Sequence, residues 1–241
     1  MKFSFIIPTL NEEKILERML TSLHKLKTIP FEIIVSDGGS TDGTLAIARH
    51  LADKVIEWRE PTRQNIAMGK NAGARKARGD FLVFIDADVF ISDMDSFFSH
   101  VLRRFERDPQ LSGLIPRLKV LASERTIADA MFAAYFNLFN RVMNNVLHSP
   151  AAPGELQIIP ASAFSKAGGY DESIVALEDM DMFMRLARIG TTRLDPKLVV
   201  FHTGRRAHKV GWLCLWALWT VNGIMVKFFR RSVSKEWKVI R

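Results

Sequence analysis

The chain is poor in cysteine and lacks the N-terminal pattern of an exported protein. Its 241 residues include one cysteine, Cys214. No disulfide can form within the chain, so a hydrophobic core must stabilise the fold, as expected in a reducing compartment. The apolar N-terminal stretch ends at Pro8 without a small-residue cleavage site, and we expect no signal peptide. With 48% hydrophobic and 25% charged residues, the composition excludes disordered, collagen-like and coiled-coil proteins.

Excess positive charge is absent from most of the chain, although the net charge is +8. Residues 1–202 carry 25 basic and 25 acidic side chains, whereas residues 203–241 carry nine basic residues and one acid, Glu236. A neutral body with a concentrated basic tail argues against a nucleic-acid binding protein. We therefore expect no nucleic-acid partner and treat residues 205–241 as a separate basic tail.

The basic tail contains sixteen consecutive uncharged residues, 211–226, with three of the five tryptophans. As a helix this segment measures ~24 Å, less than the ~30 Å hydrocarbon core of a bilayer. Trp212, Trp216 and Trp219 share a helical face with basic residues at both ends, a pattern typical of helices at an anionic membrane surface. We expect a peripheral protein on the cytoplasmic face of a membrane. The alternatives are a helix packed on the core, a contact with a second copy of the chain (a homo-oligomer), and a membrane span, which the length disfavours.

Strand and helix patterns alternate through residues 1–204. Residues 3–8 and 31–36 are rich in β-branched and aromatic side chains, and an apolar helical stripe lies between them, with residues 11–13 as its predicted cap and acidic first turn. Residues 80–86 form an apolar strand of the kind buried on both faces. Repeated βα units predict an α/β fold with a single open, mostly parallel, twisted sheet flanked by helices. We expect one domain over residues 1–204, followed by a helical tail.

Polar clusters follow three of the predicted strands, at residues 8–12, 36–43 and 86–88. The carboxyl ends of parallel strands meet at one edge of a sheet, where ligands bind, so these clusters should face one crevice. The 36–43 turn lacks the G-x-G-x-x-G and G-K-[ST] patterns, which argues against a Rossmann dinucleotide site or a P-loop. The alternative is that this turn merely connects the strand to the next helix, with Asp42 as the N-cap of that helix. Asp37, at the end of the second strand, suits a hydrogen bond to a nucleobase or ribose.

Asp86 and Asp88 lie one residue apart, directly after the apolar strand. Two carboxylates this close raise one pKa unless a cation joins them. One or two carboxylates together with substrate phosphates is the usual way in which proteins hold Mg²⁺ or Mn²⁺, although a turn or a helix cap would also account for the pair alone. Lys70 and Arg75 lie near a predicted helix start, where a diphosphate could bind. The alternative for each is a solvated surface residue.

Taken in order, these segments resemble the family 2 glycosyltransferases of the GT-A fold, which transfer a sugar from a nucleotide diphosphate with inversion. The resemblance covers about residues 1–205 and rests on PTLNEE, EIIVSDGGSTDGT, GKNAGARKARGDFLVFIDAD, GGYDES and ALEDMDMFMRLARIG. It implies that Asp37 meets the base and that Asp86 and Asp88 hold the ribose and the metal-bridged diphosphate. The residues that it assigns to nucleotide-sugar binding, with two basic candidates, are Pro8, Thr9, Asn11, Glu12, Asp37, Lys70, Arg75 and Asp86.

The resemblance also implies a catalytic pair and a late metal ligand. Glu178 and Asp179 match the family's E-D motif, with Asp179 at the position of the general base. Inversion requires the acceptor hydroxyl to attack from the face opposite the diphosphate, where a carboxylate must accept its proton; complementing a helix dipole is the alternative role for the pair. His202 resembles the third metal ligand beside Asp88, or is structural. Arg205 and Arg206 could close over the diphosphate or begin the tail.

The sequence therefore predicts an inverting, metal-dependent glycosyltransferase with a nucleotide-sugar donor and a lipid-linked or membrane-proximal glycan acceptor. The acceptor class rests on the tail and on an aromatic face of the predicted helix 127–147, formed by Phe132, Tyr135, Phe136 and Phe139, which could equally belong to the core. A second hypothesis is a non-catalytic, membrane-bound nucleotide-sugar-binding protein. The intact acidic motifs argue against it.

Overall fold

Runs of β-branched and aromatic residues form the strands, and segments with apolar residues every three or four positions form the helices. The structure is a computed structural model that describes residues 1–234. Lys235, Lys238 and Arg241 of the predicted basic tail lie outside the described residues. The elements in chain order are β1 (Phe3–Thr9), α1 (Leu16–Leu23), β2 (Phe31–Asp37), α2 (Thr44–Leu51), β3 (Lys54–Glu57), α3 (Ile66–Lys76), β4 (Phe81–Ile85), β5 (Val89–Phe90), α4 (Met94–Arg107), β6 (Leu111–Val120), α5 (Ile127–Asn145), β7 (Leu156–Pro160), α6 (Ala161–Ala167), α7 (Glu178–Leu186), β8 (Thr191–His202), α8 (Arg205–Val210) and α9 (Trp212–Phe229).

The described strands form one sheet in the order β3-β2-β1-β4-β7-β6-β8-β5. Strands β1 to β4, β6 and β8 run in one direction, while β7 and β5 run in the other. The predicted α/β class with a single open, mostly parallel sheet flanked by helices is confirmed. The two antiparallel strands are not foreseen by the sequence patterns, because apolar periodicity carries no information on strand direction.

Alternating side chains of the central strands supply a core on each face of the sheet. Phe3, Phe5 and Ile7 of β1 pack with α1 and α4. Ile6, between them in sequence, packs on the opposite face with α3, α6 and α7, together with Phe84 of β4. Because both faces are covered, the carboxyl edge of the sheet is the part of it that remains open to a ligand.

The start of α1 differs from the sequence prediction. The helix begins at Leu16 after Ile15, rather than being capped by residues 11–13. The Asn11 side chain accepts a hydrogen bond from the Thr41 N–H at 2.9 Å, and the Glu13 carboxylate accepts one from the Gly43 N–H at 2.8 Å. These side chains hold the loop 38–43 instead of capping α1, so the predicted cap is wrong. The competing use of the same side chains in a tertiary contact explains the error.

Helices α8 and α9 form the described part of the basic tail. Helix α9 has 18 residues, ~27 Å, because it continues past residue 226 to Phe229. It buries Leu215, Asn222 and Val226 and packs on α5, α7 and α8. By length and composition α9 could cross a membrane, so the length argument against a span is weaker than the sequence indicated. One face of α9 nevertheless belongs to the body of the protein.

Candidate active site

One cavity of about 710 Å³ opens at the carboxyl ends of β1, β2 and β4, the edge at which the sequence predicts a site. Of the predicted site residues, Asn11, Asp37 and Arg75 do not line it. The predicted residues that do line it are Pro8, Thr9, Glu12, Lys70, Asp86, Asp88, Glu178, Asp179, His202, Arg205 and Arg206.

Asn11 and Asp37 do not face the cavity but bind the loop 38–43, which lies beside it. Asp37 is fully buried, and its carboxylate accepts hydrogen bonds from the hydroxyls of Thr9 at 3.1 Å and Ser40 at 2.5 Å. Two backbone N–H groups of the loop 38–43 also donate to it, at 3.0 and 2.8 Å. Asn11 Oδ1 accepts from a further N–H of this loop at 2.9 Å. The two residues therefore fix the glycine-rich loop against the end of β1, and contact of Asp37 with a nucleobase stays a prediction.

Carboxylates crowd the cavity below the end of β4. Burial raises the pKa of Asp86 well above its ordinary range; Lys70 lowers it in part, and Asp88 and Glu155 raise it further. The backbone carbonyl of Glu155 accepts a hydrogen bond from the Asp86 N–H at 3.0 Å, which ties the two segments together. Surplus negative charge of this kind is relieved when a cation binds beside it.

The short strand β5 brings Asp88 and His202 together. Val89 pairs with His202 across β5 and β8, and the Thr203 hydroxyl donates to Asp88 Oδ2 at 2.5 Å. His202 Nδ1 lies 2.9 Å from the carbonyl oxygen of Thr203. Because a carbonyl can only accept, Nδ1 is the donor in this contact, and Nε2 is the ring nitrogen that is left for a metal.

These residues fit a divalent cation that shares its ligands with a substrate. Within residues 1–234, no three His, Cys, Asp or Glu side chains gather into a ready-made metal site. Asp88 and His202 offer two ligands, and Asp86 and Glu155 add charge nearby. Mg²⁺ and Mn²⁺ commonly take one or two protein carboxylates and complete their shell with water and substrate phosphates. The donor set matches that pattern rather than a closed structural site.

Arg205, the first residue of α8, reaches back to the end of β1. Its guanidinium donates two hydrogen bonds to the Glu12 carboxylate, at 3.0 and 2.9 Å, and lies 3.3 Å from Asp88 Oδ2. Burial opposes the charged form, but the hydrogen bonds to Glu12 and the charge of Asp88 outweigh it and raise the pKa of Arg205. Bidentate pairs of this kind fix both position and orientation. The start of the predicted tail is thus part of the site.

Lys70 lies beneath the predicted catalytic pair. It is 1% exposed, and its Nζ donates to Asp179 Oδ1 at 2.5 Å and to Glu178 Oε1 at 3.1 Å. Burial and the Asp179 carboxylate raise the pKa of Glu178 to about 7, against the attraction of Lys70. A solvated surface role is therefore wrong for Lys70, whereas Arg75 is exposed on the last turn of α3, 3.7 Å from Glu172. Diphosphate binding by either residue stays a prediction.

The opposite end of the cavity is aromatic. Phe136, Trp212 and Trp219 line it, on α5 and α9. Trp212 stacks on Phe132 with ring centroids 5.0 Å apart, and Trp219 meets Phe136 edge-on at 5.1 Å. The aromatic face predicted on α5 and the tryptophan face predicted on α9 therefore pack on each other, and part of each faces the cavity.

Asp129 joins α5 to the tail. Its buried carboxylate accepts hydrogen bonds from Trp212 Nε1 at 2.6 Å and from His208 Nε2 at 2.9 Å, and it closes a capping box with Thr126 at the start of α5. Burial raises the pKa of Asp129, but the hydrogen bonds from Thr126, His208 and Trp212 outweigh it and lower that pKa to about 2. Asp129 therefore ties both tail helices to α5.

Sequence reasoning does not identify several residues of the site. Glu155 and Gly154 precede β7, which is antiparallel, so a search at the carboxyl ends of parallel strands passes over them. Tyr170 lies within the GGYDES motif, yet its ring meets Lys70 Nζ at 4.9 Å and its hydroxyl donates to Gln157. Its place inside the quoted GGYDES motif is the signal by which the sequence could have pointed to Tyr170.

Comparison with known proteins places these features in a family. Residues 4–151 match the family model described as Glycosyl transferase family 2. The chain is 42% identical to the uncharacterized glycosyltransferase YfnE of Bacillus subtilis (strain 168), over 84% of this chain and 64% of that protein. It is 37% identical to the validoxylamine A glucosyltransferase of Streptomyces hygroscopicus subsp. limoneus, over 78% of this chain and 48% of that protein. The chain thus spans between about half and two thirds of these relatives.

A solved structure shares the fold. The mannosyltransferase PcManGT from Pyrobaculum calidifontis, in complex with GDP-Man and Mn²⁺, aligns with a TM-score of 0.66 at 20% identity, over 87% of this chain and 59% of that one. This likeness confirms the predicted GT-A type of sheet. Since the family model also covers more than half of the residues, including the three strand ends that form the cavity, the chain belongs to glycosyl transferase family 2.

Proposed function

We propose that the chain is an inverting glycosyltransferase that moves a sugar from a nucleotide-diphosphate donor to a lipid-linked or membrane-proximal acceptor. The observation that carries this proposal is that one continuous cavity is lined by the D-x-D pair, by Asp179 and by the aromatic residues of α5 and α9. A polar donor end and an apolar acceptor end in one cavity suit a reaction between a nucleotide sugar and a lipid-bearing molecule. Family membership supports the reaction class.

The donor would bind at the carboxyl ends of β1 and β4. Pro8, Thr9, Glu12 and Asp86 line this end, and the loop fixed by Asp37 closes one side. Asp88 and His202 would hold Mn²⁺ or Mg²⁺, which neutralises charge on the departing diphosphate when it is bound. The mannosyltransferase of the same fold was solved with Mn²⁺ and GDP-Man, which supports both assignments.

Asp179 would serve as the general base. As the acceptor oxygen forms its bond to the anomeric carbon, the bond from that carbon to the diphosphate oxygen breaks and the hydroxyl proton passes to the Asp179 carboxylate. Asp179 lines the cavity, and Lys70 Nζ holds its carboxylate in place at 2.5 Å. Glu178, with its pKa of about 7, is less suited to remain charged at neutral pH.

The acceptor and the membrane would meet at α5 and α9. Both helices expose apolar residues, and basic residues at the ends of α9 suit an anionic, cytoplasmic membrane surface on which the protein would lie peripherally. The exposed apolar residues are Ile127, Met131, Tyr135, Leu138, Phe139 and Val142 on α5, and Leu213, Trp216, Leu218, Val221, Ile224, Phe228 and Phe229 on α9.

The donor half is tested by thermal unfolding with a panel of UDP- and GDP-sugars, each with and without Mn²⁺. A ligand that binds the folded state raises the unfolding temperature by mass action, so we expect one nucleotide class to do so and the gain to need Mn²⁺. No shift with any sugar nucleotide would contradict the donor assignment.

The reaction itself is tested with the nucleotide sugar that gives the largest shift. Release of the nucleoside diphosphate should require Mn²⁺, should rise when a polyprenyl-phosphate acceptor in vesicles is added, and should be lost in Asp179→Asn. Tight donor binding without any release would favour the non-catalytic binding protein instead.

A further inference from the structure

Lys70 is the most completely buried cation beside the cavity, and donor binding does not account for its position. Its Nζ lies within hydrogen-bond distance of Asp179 Oδ1 and Glu178 Oε1 and 4.9 Å from the centre of the Tyr170 ring. A diphosphate ligand would have to compete with two carboxylates for the same three protons of the ammonium group. The contacts indicate a role directed at the catalytic pair.

Helix α3 holds Lys70 rigidly. A Cβ atom on Gly73 would lie 2.3 Å from Ile6 Cγ2, so α3 rests directly on β1 and can do so only with glycine there. On the other side, Asn71 exchanges two hydrogen bonds with the backbone of Tyr170, both at 2.9 Å. The Asn65 side chain donates to the Glu172 carbonyl at 2.7 Å. The ammonium group is therefore fixed between the sheet and the segment that leads into α7.

The two oxygens of Asp179 have different surroundings. Oδ1 accepts from Lys70, while Oδ2 faces Gly154, where an added Cβ atom would lie only 2.6 Å away. Both Gly154 and Asp179 line the cavity. The missing side chain at position 154 thus makes room for this one carboxylate oxygen.

From this geometry we infer that Lys70 is a positioning residue for the transfer reaction: it holds Asp179 through Oδ1 and leaves Oδ2, beside Gly154, as the atom that accepts the acceptor's proton. This inference rests on the proposed role of Asp179 as general base. It assigns Lys70 to the acceptor half of the reaction rather than to the donor diphosphate.

The charged groups around Lys70 and Asp179 support a role for Lys70 beside the proposed base. Glu178 shares Lys70 with Asp179, Tyr170 lies against Lys70, and Asp86 and Glu155 add negative charge from β4 and from the segment before β7. Among so many acids, a carboxylate without a bound cation would take up a proton. Removing the ammonium charge should therefore move the acidic limb of the turnover profile to higher pH.

The test compares Lys70→Met with Lys76→Met, an exposed lysine on the last turn of the same helix. For Lys70→Met we expect kcat at pH 7 to fall about tenfold to a hundredfold, the scale of a misplaced catalytic group, with partial recovery at higher pH and an unchanged KM for the donor. Lys76→Met should match the wild-type chain. A raised donor KM with an unshifted pH profile would instead assign Lys70 to the diphosphate and overturn the inference.

A second variant covers the case in which Lys70→Met does not fold. Gly154→Ala changes no charge, and the atom it meets is a terminal oxygen of the Asp179 side chain rather than backbone, so the protein should fold while the carboxylate is displaced. We expect kcat to fall with donor affinity retained, and unchanged kcat would overturn the assignment of Oδ2. Asp179→Asn separates the two proposals. If Asp179→Asn keeps full turnover, the assignment of Asp179 as the base is wrong. If Asp179→Asn loses turnover while Lys70→Met and Gly154→Ala keep it, only the positioning role of Lys70 is wrong.

Discussion

The donor end and the aromatic end of the cavity are stabilised in different ways. At the donor end, charged side chains are held by partners of fixed geometry, as in the bidentate pair of Glu12 with Arg205 and in the contact of Lys70 with Asp179. At the aromatic end, α5 and α9 meet through a few rings and the hydrogen bond from Trp212 to Asp129, and neighbours such as Trp216 remain 42% exposed. Hydrogen-bonded networks specify geometry, whereas apolar contacts are non-directional. The protein thus holds the charged groups of the cavity in fixed positions and leaves part of the aromatic end exposed.

The largest effect is expected where the donor end holds its cation. Asp88→Ala should abolish transfer and metal-dependent donor binding, because it removes the carboxylate beside His202. Asp86→Ala should weaken nucleotide affinity while some metal dependence remains. Calorimetry of nucleotide binding with and without Mn²⁺ measures both. If nucleotide binding by Asp88→Ala still depends on Mn²⁺, Asp88 is not the metal ligand. The difference between a cation-holding donor end and an apolar aromatic end would then lose its basis.

A smaller effect is expected at the boundary between the ends. Asp179→Asn keeps the shape of the side chain and removes its basicity, so turnover should fall by about 10² or more, the usual scale for a positioned general base. Donor affinity should stay the same, since the donor contacts lie elsewhere. Steady-state kinetics with a titration of the donor checks this, and full turnover would direct attention to Glu178, the other carboxylate of the predicted pair.

At the aromatic end, substitutions should change location rather than chemistry. Trp216→Ser should weaken co-sedimentation with anionic vesicles about tenfold, the scale of losing the burial of a large apolar side chain. Ile189→Ser is the matched control, because Ile189 is 40% exposed but lies outside α5 and α9. Binding should also weaken as salt shortens the screening length from ~10 Å at 0.1 M to ~3 Å at 1 M. If the wild-type chain stays in the supernatant at low salt, the exposed apolar residues serve another contact.

The smallest expected effect concerns the junction of α5 with the tail. The pKa of Asp129 is about 2 in the folded protein, against ~3.9 for an unfolded aspartate. A lowered folded pKa stabilises the protein above pH ~4, and this contribution is lost as the pH falls towards 2. Asp129→Asn should therefore unfold at a lower temperature than the wild-type chain at pH 6, and the difference should shrink between pH 4 and pH 2. A difference independent of pH would show that the charge of Asp129 is not what stabilises the junction.

Local patterns in the sequence predict the first half of the fold well. The strands β1, β2 and β4 lie within about one residue of their predicted bounds, because burial on both faces leaves an unbroken apolar run. The second half is predicted less completely. The two-residue strand β5 has no periodicity to detect, and the direction of β7 depends on tertiary packing. These two elements bring His202 and Glu155 to the donor end.

For the site, the sequence identifies chemistry better than contacts. Asp88, Asp179 and His202 are selected by residue type and order, and all three line the cavity. Asp37 and Lys70 are selected in the same way, but one is enclosed by its own loop and the other lies beneath the catalytic pair. Which side chain faces a ligand and which faces a neighbour is decided by partners distant in sequence, and no local pattern contains that information.

The ion pair of Glu12 and Arg205 also has a consequence for the order of folding. Its two residues are 193 positions apart in the chain. Closing so long a loop costs entropy that only the contacts formed afterwards repay, so such pairs form late. A nascent chain that has folded as far as β5 already contains the glycine-rich loop and both aspartates of the D-x-D pair, yet it lacks the cation that joins Glu12 to Asp88. The capacity to bind a nucleotide in full should therefore appear only when Arg205 has docked against Glu12, which makes nucleotide binding a kinetic marker of this late step.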